Sequence, residues 1–311
     1  MARNRHASPA GEDEHAGRGP RPRTGATFDE SRGTARAASP DEHDPEVGSV
    51  VRPRAELPVR VADTTPLPAA YDAELEHGLA ALGLTLGPGA RAVIDGHARL
   101  LLAWTGAINL TAIREPTAVA RRHVLDSLAG LSSVSAGGSP GRMLDLGSGG
   151  GYPGIVLAAL LPETAVVLVD SVAKKVRFLD MVIAATGLGP RVEAIAARAE
   201  LLARDRNHRA AYDVVVARAV GSLADLVELA VPLLRVGGRL VVWKRDGPAA
   251  ALAGELEAAR HTADVLGADR PQVEPVAIDA LPGHVLVVVA KRAPTAPAYP
   301  RDPALRLRRP L

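Results

Sequence analysis

A glycine-rich turn between two apolar segments constrains the fold of this chain more than any other feature. The run Met143-Leu144-Asp145-Leu146 leads into Gly147-Ser148-Gly149-Gly150-Gly151, and a second apolar run over 165–169 ends in Asp170. This layout predicts a strand, a tight turn, a helix and a second strand, as in nucleoside-cofactor sites at the edge of a parallel sheet. Glycines let the backbone turn and approach a ligand closely. An acid about 20 residues beyond the turn can accept hydrogen bonds from ribose hydroxyls.

The residue two positions before the turn, Asp145, bears on which cofactor binds. A dinucleotide needs a pyrophosphate at the helix N-terminus, and a carboxylate there would repel it. The same carboxylate suits a ligand that carries an ammonium group and a sulfonium. Pro153 is compatible with the first turn of the next helix. The segment therefore favours S-adenosylmethionine over a nicotinamide cofactor, with a glycine-rich turn that binds nothing as the further alternative.

The rest of the chain alternates between predicted strands and helices. Strands are expected near 142–146, 165–170, 191–196, 213–217, 238–243 and 284–290. Helices are expected near 153–161, 172–186, 222–234 and 248–266. This alternation predicts a parallel, doubly wound sheet. A further strand near 272–278 is expected to close the sheet with an antiparallel edge, which is common in methyltransferases and unusual in dehydrogenases.

Composition divides the chain into four segments. Their predicted boundaries are 1–68, 69–135, 136–293 and 294–311. The first has few large apolar side chains and is predicted to be a disordered extension, with an RNA-binding arm as the alternative. The second is a small helical layer, with Gly87-Pro88-Gly89 between its first two helices and a third helix from Pro116. The third is the sheet domain, and the fourth is a basic, proline-rich tail.

The absence of cysteine excludes several chemistries. With 0 Cys the chain has no cysteine nucleophile, no cysteine-ligated zinc or iron–sulfur site and no disulfide. Radical use of S-adenosylmethionine by the usual cluster and pyrimidine C5 methylation through a cysteine adduct are excluded with them. No metal site is predicted. No apolar run approaches the roughly 18 residues that span a bilayer, so we expect a cytoplasmic protein without membrane contact.

Several polar and basic motifs follow one another in a fixed order. They are Asn109-Leu110-Thr111, Arg121-Arg122-His123, Leu125-Asp126-Ser127, the glycine turn, Asp170-Ser171, Lys174-Lys175-Val176-Arg177-Phe178-Leu179, Arg198-Ala199-Glu200, Ala217-Arg218-Ala219 and Trp243-Lys244. Over about residues 70–292 this set closely resembles the bacterial small-subunit ribosomal RNA guanine-N7 methyltransferase family, once called glucose-inhibited division protein B. Tyr299-Pro300-Arg301 and the final Arg308-Arg309-Pro310-Leu311 also resemble the basic C-terminus of that family. Asp302-Pro303-Ala304-Leu305 departs from its usual Gly-Thr-Pro-Lys-like stretch.

The resemblance implies an α/β fold of the class I S-adenosylmethionine-dependent methyltransferases, a Rossmann-like sheet with a small N-terminal helical layer. It implies methyl transfer from S-adenosylmethionine to N7 of a specific guanine, the 527-type position, in 16S rRNA, naked or within the small ribosomal subunit. By resemblance the cofactor contacts fall on Gly147, Tyr152, Asp170, Ala199, Glu200 and Arg218, to which the reasoning on the turn adds Asp145 and Gly149. The candidates for the reaction itself are Asn109, His123, Arg198 and Arg218, and those for RNA binding are Arg122, Lys244, Arg301, Arg308 and Arg309.

Methylation of guanine N7 requires little acid–base chemistry. N7 carries an in-plane lone pair and no proton, so no general base has to remove one. Placing N7 in line with the sulfonium methyl group and excluding water from both can suffice. This leaves the site residues with roles in binding and positioning.

Each candidate role has an alternative. Arg218 is expected to contact a cofactor carboxylate or an RNA phosphate, with a surface salt bridge as the alternative. Arg198 is expected at a phosphate, with the O6 and N7 edge of guanine as the alternative. His123 with Asp126 either caps the pocket or holds the helical layer to the sheet, and Asn109 either meets the target base or ends a helix. Lys244 either meets a phosphate or is a solvated strand end, and Lys174 and Lys175 are interpreted as solvated helix residues.

Three other functions remain as alternatives at this point. The first is an S-adenosylmethionine-dependent methyltransferase that acts on another RNA or a small molecule. The second is an NAD-dependent oxidoreductase, for which none of the four tyrosines is followed by a lysine four residues later. The third is a non-catalytic RNA-binding protein of ribosome assembly, although aromatic residues are only 3% of the chain, few for base stacking. We expect a monomer.

Overall fold

The computed structural model describes residues 56–245 and 249–311, which belong to one compact unit. Most of the predicted disordered extension, residues 1–55, lies outside the described residues. The remainder of that segment includes a 3₁₀ turn at Val61–Asp63. The indole Nε1 of Trp104 donates a hydrogen bond to the carbonyl oxygen of Pro58 at 2.7 Å. Described structure is therefore present before residue 69, the predicted start of the helical layer.

The helical layer begins with two helices, α1 (Ala69–Leu82) and α2 (Pro88–Trp104). Helix α1 ends at Gly83, whose φ of 65° lets its N–H reach the last carbonyl groups of the helix. Pro88, which the sequence analysis placed between the two helices, is the first residue of α2, where its missing N–H is not needed. Leu75 and Leu79 of α1 are buried in the core shared with the sheet.

The third predicted helix is present but contains a π-helical segment. It consists of α3 (Pro116–Val119), the π-helical segment (Ala120–Leu125) and α4 (Asp126–Ala129), and α5 (Leu131–Val134) follows. In a π-helical turn the backbone hydrogen bonds join residues five apart instead of four, and such turns are frequent at functional sites. Here the segment contains Arg122 and His123, two of the predicted site residues.

Seven strands form one sheet in the order β3-β2-β1-β4-β5-β7-β6. The strands are β1 (Arg142–Leu146), β2 (Ala165–Asp170), β3 (Val192–Ala196), β4 (Tyr212–Arg218), β5 (Leu234–Arg245), β6 (Gln272–Pro275) and β7 (His284–Ala290). Strands β1 to β5 are parallel, and β7 runs antiparallel to both β5 and β6. The predicted α/β class, with its antiparallel edge and N-terminal helical layer, is confirmed.

Helices cover both faces of the sheet, so its inner strands contain nearly continuous apolar runs, such as residues 166–169 and 214–217. The remaining helices are α6 (Gly154–Leu160), α7 (Ala173–Thr186), α8 (Ala199–Leu202), α9 (Leu223–Ala230), α10 (Ala249–Leu266) and α11 (Pro303–Arg308). One core lies between the sheet and the helical layer with α6 and α7, and the other lies beneath α9 and α10. None of the helices in the described ranges is both long and apolar enough to cross a membrane.

The strand register brings the predicted site residues to one edge. Leu146 of β1 is paired with Val169 of β2 on one side and with Ala217 of β4 on the other. Gly147, Asp170 and Arg218 each lie one residue further along their strand or turn. They therefore meet at the carboxyl edge of the sheet, where ligands bind in open α/β folds.

Candidate active site

The glycine turn adopts a backbone that side chains would disturb. Gly147 has a φ of 78°, in the left-handed region that favours glycine. A Cβ atom at this position would lie 2.5 Å from Cγ2 of Val220. The N–H groups of Gly147 and Ser148 donate to the carbonyl oxygen of Val169 at 2.8 and 2.9 Å, which ties the turn to the end of β2. The turn thus keeps an open backbone surface at the sheet edge.

Asp170 connects the end of β2 to the same turn. Its Oδ2 accepts a hydrogen bond from the N–H of Gly149 at 3.0 Å, and its Oδ1 accepts one from the N–H of Val172 at 2.8 Å. The ammonium group of Lys175 lies 3.5 Å from Oδ2. Each carboxylate oxygen can accept two hydrogen bonds, so Asp170 retains capacity to accept hydrogen bonds from a ligand.

Asp145 lies fully buried under the turn. Its Oδ2 accepts a hydrogen bond from the N–H of Gly154 at 3.0 Å, and its Oδ1 has no partner among the described residues. Burial raises the pKa of the Asp145 carboxyl to about 7, although its hydrogen bonds and the charge of Arg218 oppose this shift. The side chain supports the turn from below and lines neither of the two cavities at this edge.

Two cavities flank the turn and share Gly147. The first, here called the β2–β3 cavity, has a volume of about 240 Å³ and is lined by Gly147, Asp170, Ser171, Arg198, Ala199 and Glu200, among others. The second, the β1–β4 cavity, has a volume of about 270 Å³ and is lined by Thr111, His123, Gly147, Tyr152, Lys175 and Arg218, among others. A ligand that occupies both cavities would cross the turn at Gly147, where a side chain has no room.

Arg218 joins the sheet to the π-helical segment at the β1–β4 cavity. Its Nη1 donates to Asp126 Oδ2 and to the carbonyl oxygen of Arg122, both at 2.9 Å. Its Nη2 lies 2.9 Å from His123 Nδ1. The Arg218 and Asp126 side chains are only 15% and 7% exposed, so this ion pair is largely shielded from water. Arg218 therefore both lines the cavity and fixes the helical layer against β4.

His123 is held as a neutral ring. Burial and the positive charge of Arg218 lower the pKa of the His123 imidazole to about 3. Because a guanidinium can only donate, Nδ1 is the acceptor and the proton lies on Nε2. That N–H donates to Oγ1 of Thr111, with the two atoms 2.9 Å apart.

Three aromatic rings stack beside the turn. The Tyr152 ring lies between His97 and His123, with centroid separations of 4.3 and 4.7 Å. Nε2 of His97 lies 2.6 Å from the carbonyl oxygen of Gly150, and burial lowers the pKa of the His97 imidazole to about 4. The stack anchors α2 to the glycine turn, and its Tyr152 and His123 rings form an uncharged wall of the β1–β4 cavity.

Comparison with known proteins identifies the family. The family model described as GidB, rRNA small subunit methyltransferase G, matches residues 91–275, more than half of the 311 residues. The chain belongs to this family. Ribosomal RNA small subunit methyltransferase G of Roseiflexus castenholzii is 44% identical over 211 residues, which cover 68% of this chain and 87% of that protein. The protein of the same name from Symbiobacterium thermophilum is 37% identical over 248 residues, covering 78% of this chain and 98% of that protein.

The family resemblance in the sequence motifs is thereby confirmed. Among solved structures, the antibiotic-resistance methyltransferase Kmr aligns with a TM-score of 0.39 at 20% identity, and the alignment covers 52% of this chain and 91% of that chain.

The residues predicted for the reaction lie at different places around the site. His123 and Arg218 meet at the β1–β4 cavity. Arg198 is exposed at the β2–β3 cavity, on the other side of the turn. Asn109 is exposed in the loop after α2 and lines neither cavity, although the next two residues in the sequence line the β1–β4 cavity. Their roles in the reaction stay predictions.

The residues predicted to bind RNA divide into exposed and paired side chains. Arg122, Arg308 and Arg309 are exposed. Lys244 forms an ion pair with Glu255 at 2.6 Å. Arg301 forms one at 2.7 Å with a Glu228 side chain that is only 3% exposed. The structure thus gives Lys244 and Arg301 partners within the protein, while no ion pair among the described residues involves the other three.

The sequence analysis missed two contributors to this site. His284 of β7 donates from Nδ1 to Asp126 Oδ1 at 2.8 Å, although 158 residues separate the two in sequence. Lys175, interpreted as a solvated helix residue, is half-buried, pairs with Asp170 and lines the β1–β4 cavity. The position of Lys175 in the first turn of α7, five residues after Asp170, is the signal that could have indicated the contact.

Proposed function

We propose that this protein transfers a methyl group from S-adenosylmethionine to N7 of a guanine in 16S rRNA. The observation that carries the proposal is the meeting of two cavities at Gly147. One contains a carboxylate suited to a ribose, and the other contains Arg218 and His123. The rRNA substrate follows from the family, whose members are named for the small-subunit rRNA.

The residues at the sheet edge fit S-adenosylmethionine. Asp170 would hold the ribose hydroxyls, and Ala199 and Glu200 would lie beside the adenine in the β2–β3 cavity. Arg218 and Lys175 would face the amino-acid end in the β1–β4 cavity, where their charges suit its carboxylate. The two cavities meet at Gly147, where a Cβ would clash with Val220, so a side chain at this crossing would displace Val220 from the wall of the β2–β3 cavity. When bound, the cofactor supplies an electrophilic methyl group on a sulfonium.

The charges in the β1–β4 cavity are compatible with a guanine ring that becomes positively charged when it accepts the methyl group. Guanine gains positive charge as N7 is methylated, so nearby uncompensated cations would oppose the reaction. His97 and His123 are neutral because burial lowers the pKa of each ring well below 6.5. The charge of Arg218 is balanced by Asp126 at 2.9 Å. His123 and Arg218, which line the cavity, can therefore orient the base and exclude water without taking up a proton.

Exposed basic side chains near the site and on the tail would bind the RNA backbone. Arg122 lies on the π-helical segment, and its backbone carbonyl oxygen accepts a hydrogen bond from Arg218. Arg308 and Arg309 are exposed at the end of α11. Phosphate contacts of this kind position a nucleic acid and are sensitive to salt. The proposal includes a monomeric protein that acts in the cytoplasm, where ribosomal subunits are assembled.

A methyl-transfer assay tests the proposal. The protein is incubated with labelled S-adenosylmethionine and either naked 16S rRNA or 30S particles from a strain that lacks this gene, and the modified base is mapped. We expect label at N7 of a single guanine. Binding of S-adenosylhomocysteine without label on any RNA form would point to another methyl acceptor. Thermal stabilisation by NADH but not by S-adenosylhomocysteine would contradict the methyltransferase assignment.

Asp145 provides a pH-dependent signature of cofactor binding. Because its pKa is raised to about 7, the buried carboxyl is mostly protonated at about pH 6. A bound ammonium and sulfonium would favour the ionised form and lower this pKa, so cofactor binding should release a proton. We expect the calorimetric enthalpy of S-adenosylmethionine binding to vary with the ionisation enthalpy of the buffer at about pH 6.

Asp145→Asn has no proton to release and serves as the comparison. Its binding enthalpy should be independent of the buffer, and in the unchanged protein the buffer dependence should fade as the pH rises well above 7. The same buffer dependence in both proteins would assign the proton to another group.

A further inference from the structure

The C-terminal segment folds back onto the sheet domain. The sequence predicts a basic RNA-binding tail for residues 294–311, but much of its polar chemistry is directed inward. The guanidinium of Arg209 donates to the carbonyl oxygens of Thr295, Ala296 and Tyr299 at 2.8–3.2 Å. One side chain of the sheet domain thus fixes the start of the tail through its backbone.

An ion pair fixes the next part of the tail. The Nε and backbone N–H of Arg301 donate to Glu228 Oε1 at 2.8 and 2.9 Å, and its Nη2 donates to Oε2 at 2.7 Å. Asp302 then accepts from the N–H of Ala304 at 2.9 Å, which caps the N-terminus of α11. The position of Arg306, one turn into this helix, follows from these contacts.

Arg306 reaches from α11 to the cofactor side of the site. Its Nη2 donates to Glu200 Oε1, and its Nη1 donates to Asp225 Oδ1 at 2.5 Å. The Arg306 and Glu200 side chains are only 9% and 10% exposed. Glu200 also lines the β2–β3 cavity, and within the described ranges no hydrogen bond uses its Oε2. The tail therefore holds one oxygen of this carboxylate and leaves the other for a ligand.

We propose that Arg306 is a positioning residue of the cofactor site. It orients Glu200 so that the free oxygen accepts a hydrogen bond from the exocyclic amine of adenine, and it balances the charge of this shielded carboxylate. A planar guanidinium fork that bridges two carboxylates fixes orientation as well as charge. The inference rests on the proposed function, since Glu200 meets an adenine only if S-adenosylmethionine binds in the β2–β3 cavity.

The exocyclic amine gives this role a specific readout. Adenine donates from that amine, whereas hypoxanthine carries a carbonyl oxygen at the same position. A carboxylate held beside it would accept from the first and repel the second. The protein should therefore bind S-adenosylhomocysteine more tightly than S-inosylhomocysteine, and this preference should depend on Arg306.

Titration calorimetry of Arg306→Ala with both ligands tests the inference. The affinity for S-adenosylhomocysteine should fall about tenfold, as expected for the loss of one well-oriented hydrogen bond to a charged group. The affinity for S-inosylhomocysteine should change little, so that the preference between the two ligands largely disappears. Arg306→Lys retains a positive charge but not the fork, and it gives the same test should the alanine variant fail to fold.

Two further variants complete the test. Arg292→Ala removes an exposed ion pair with Asp264 and should leave both affinities unchanged. Glu200→Gln alone should remove the preference for S-adenosylhomocysteine over S-inosylhomocysteine. The double variant Glu200→Gln with Arg306→Ala should show the same lack of preference as Glu200→Gln alone.

The outcomes separate the inference from the proposed function. One outcome is that Arg306→Ala lowers both affinities by the same factor or changes neither affinity, while Glu200→Gln removes the preference for S-adenosylhomocysteine. In that case Arg306 has no positioning role, and the proposed function stands. If the unchanged protein binds neither ligand, the proposed function itself fails.

Discussion

Replacement of Arg218 by alanine is expected to reduce methyl transfer at least about 100-fold, the usual effect of removing one positioned donor from an active site. Arg218 is the side chain through which β4, the π-helical segment and the β1–β4 cavity meet. Its loss would free His123 Nδ1 and withdraw the cation that faces the amino-acid end of the cofactor. The rate is measured with labelled S-adenosylmethionine under saturating RNA.

The same variant should also lose stability, and this has to be separated from the effect on the reaction. Removing one partner of a largely buried ion pair leaves an uncompensated charge, which costs about 3 kcal/mol at the lower end of measured cases. The lower end applies because Asp126 keeps its hydrogen bond to His284. Thermal unfolding should register this loss as a lower Tm, by roughly 2–4 °C per kcal/mol.

A double variant makes the separation. Arg218→Ala combined with Asp126→Asn removes the uncompensated carboxylate, so part of the lost Tm should return. Methyl transfer should not return, because the donor to His123 and the cation at the cavity are still missing. Activity within a few fold of the unchanged protein in Arg218→Ala would remove Arg218 from the reaction and leave it a purely structural ion pair.

The parts of this fold set by local pattern were predictable from the sequence. The strands β1, β2 and β7 have the predicted bounds, because each is a short apolar run between turn residues. The glycine turn and Asp170, the last residue of the second strand, lie together at the carboxyl edge of the sheet, as the sequence predicts. The helical layer was predictable as well, because Leu75 and Leu79 recur at helical spacing and Gly87-Pro88-Gly89 interrupts the pattern.

The predicted boundaries between helix and strand are wrong by several residues where the apolar pattern of the sequence changes gradually. Helix α9 ends at Ala230 instead of 234, and β5 starts at Leu234 instead of 238. Apolar residues continue from the helix into the strand, and β5 runs on through two glycines, so periodicity alone could not divide them. The π-helical segment was also not predicted, because its sequence follows ordinary helical spacing.

Contacts between distant segments could not be predicted from one sequence. Asp126 and His284 are 158 residues apart, and Glu200 and Arg306 are 106 apart. Nothing in the local sequence of a basic tail distinguishes an arginine that faces solvent from one that pairs with a shielded carboxylate. For that reason the tail was interpreted as an RNA-binding segment, whereas Arg301 and Arg306 are directed into the protein.

Replacement of Asp170 by alanine is expected to have the largest effect on cofactor affinity. Two ribose hydroxyls that donate to one carboxylate contribute about 1.5–3 kcal/mol each, so the affinity for S-adenosylhomocysteine should fall about 100-fold or more. The N–H of Gly149 would lose its acceptor as well, which loosens the turn over which the ligand crosses. Calorimetric titration measures the change. Asp180→Ala, which removes an exposed carboxylate from α7, should leave the affinity unchanged.

A ligand that lacks the 2′-hydroxyl distinguishes a ribose contact from a loosened turn. The 2′-deoxyribose analogue of S-adenosylhomocysteine should bind the unchanged protein more weakly than the parent ligand. If Asp170 holds the ribose, Asp170→Ala should bind the two ligands equally, because the partner of that hydroxyl is gone. If the variant still prefers the parent ligand by the original factor, the carboxylate acts only on the backbone of Gly149 and the ribose is held elsewhere. Unchanged affinity for both ligands would remove Asp170 from the cofactor site altogether.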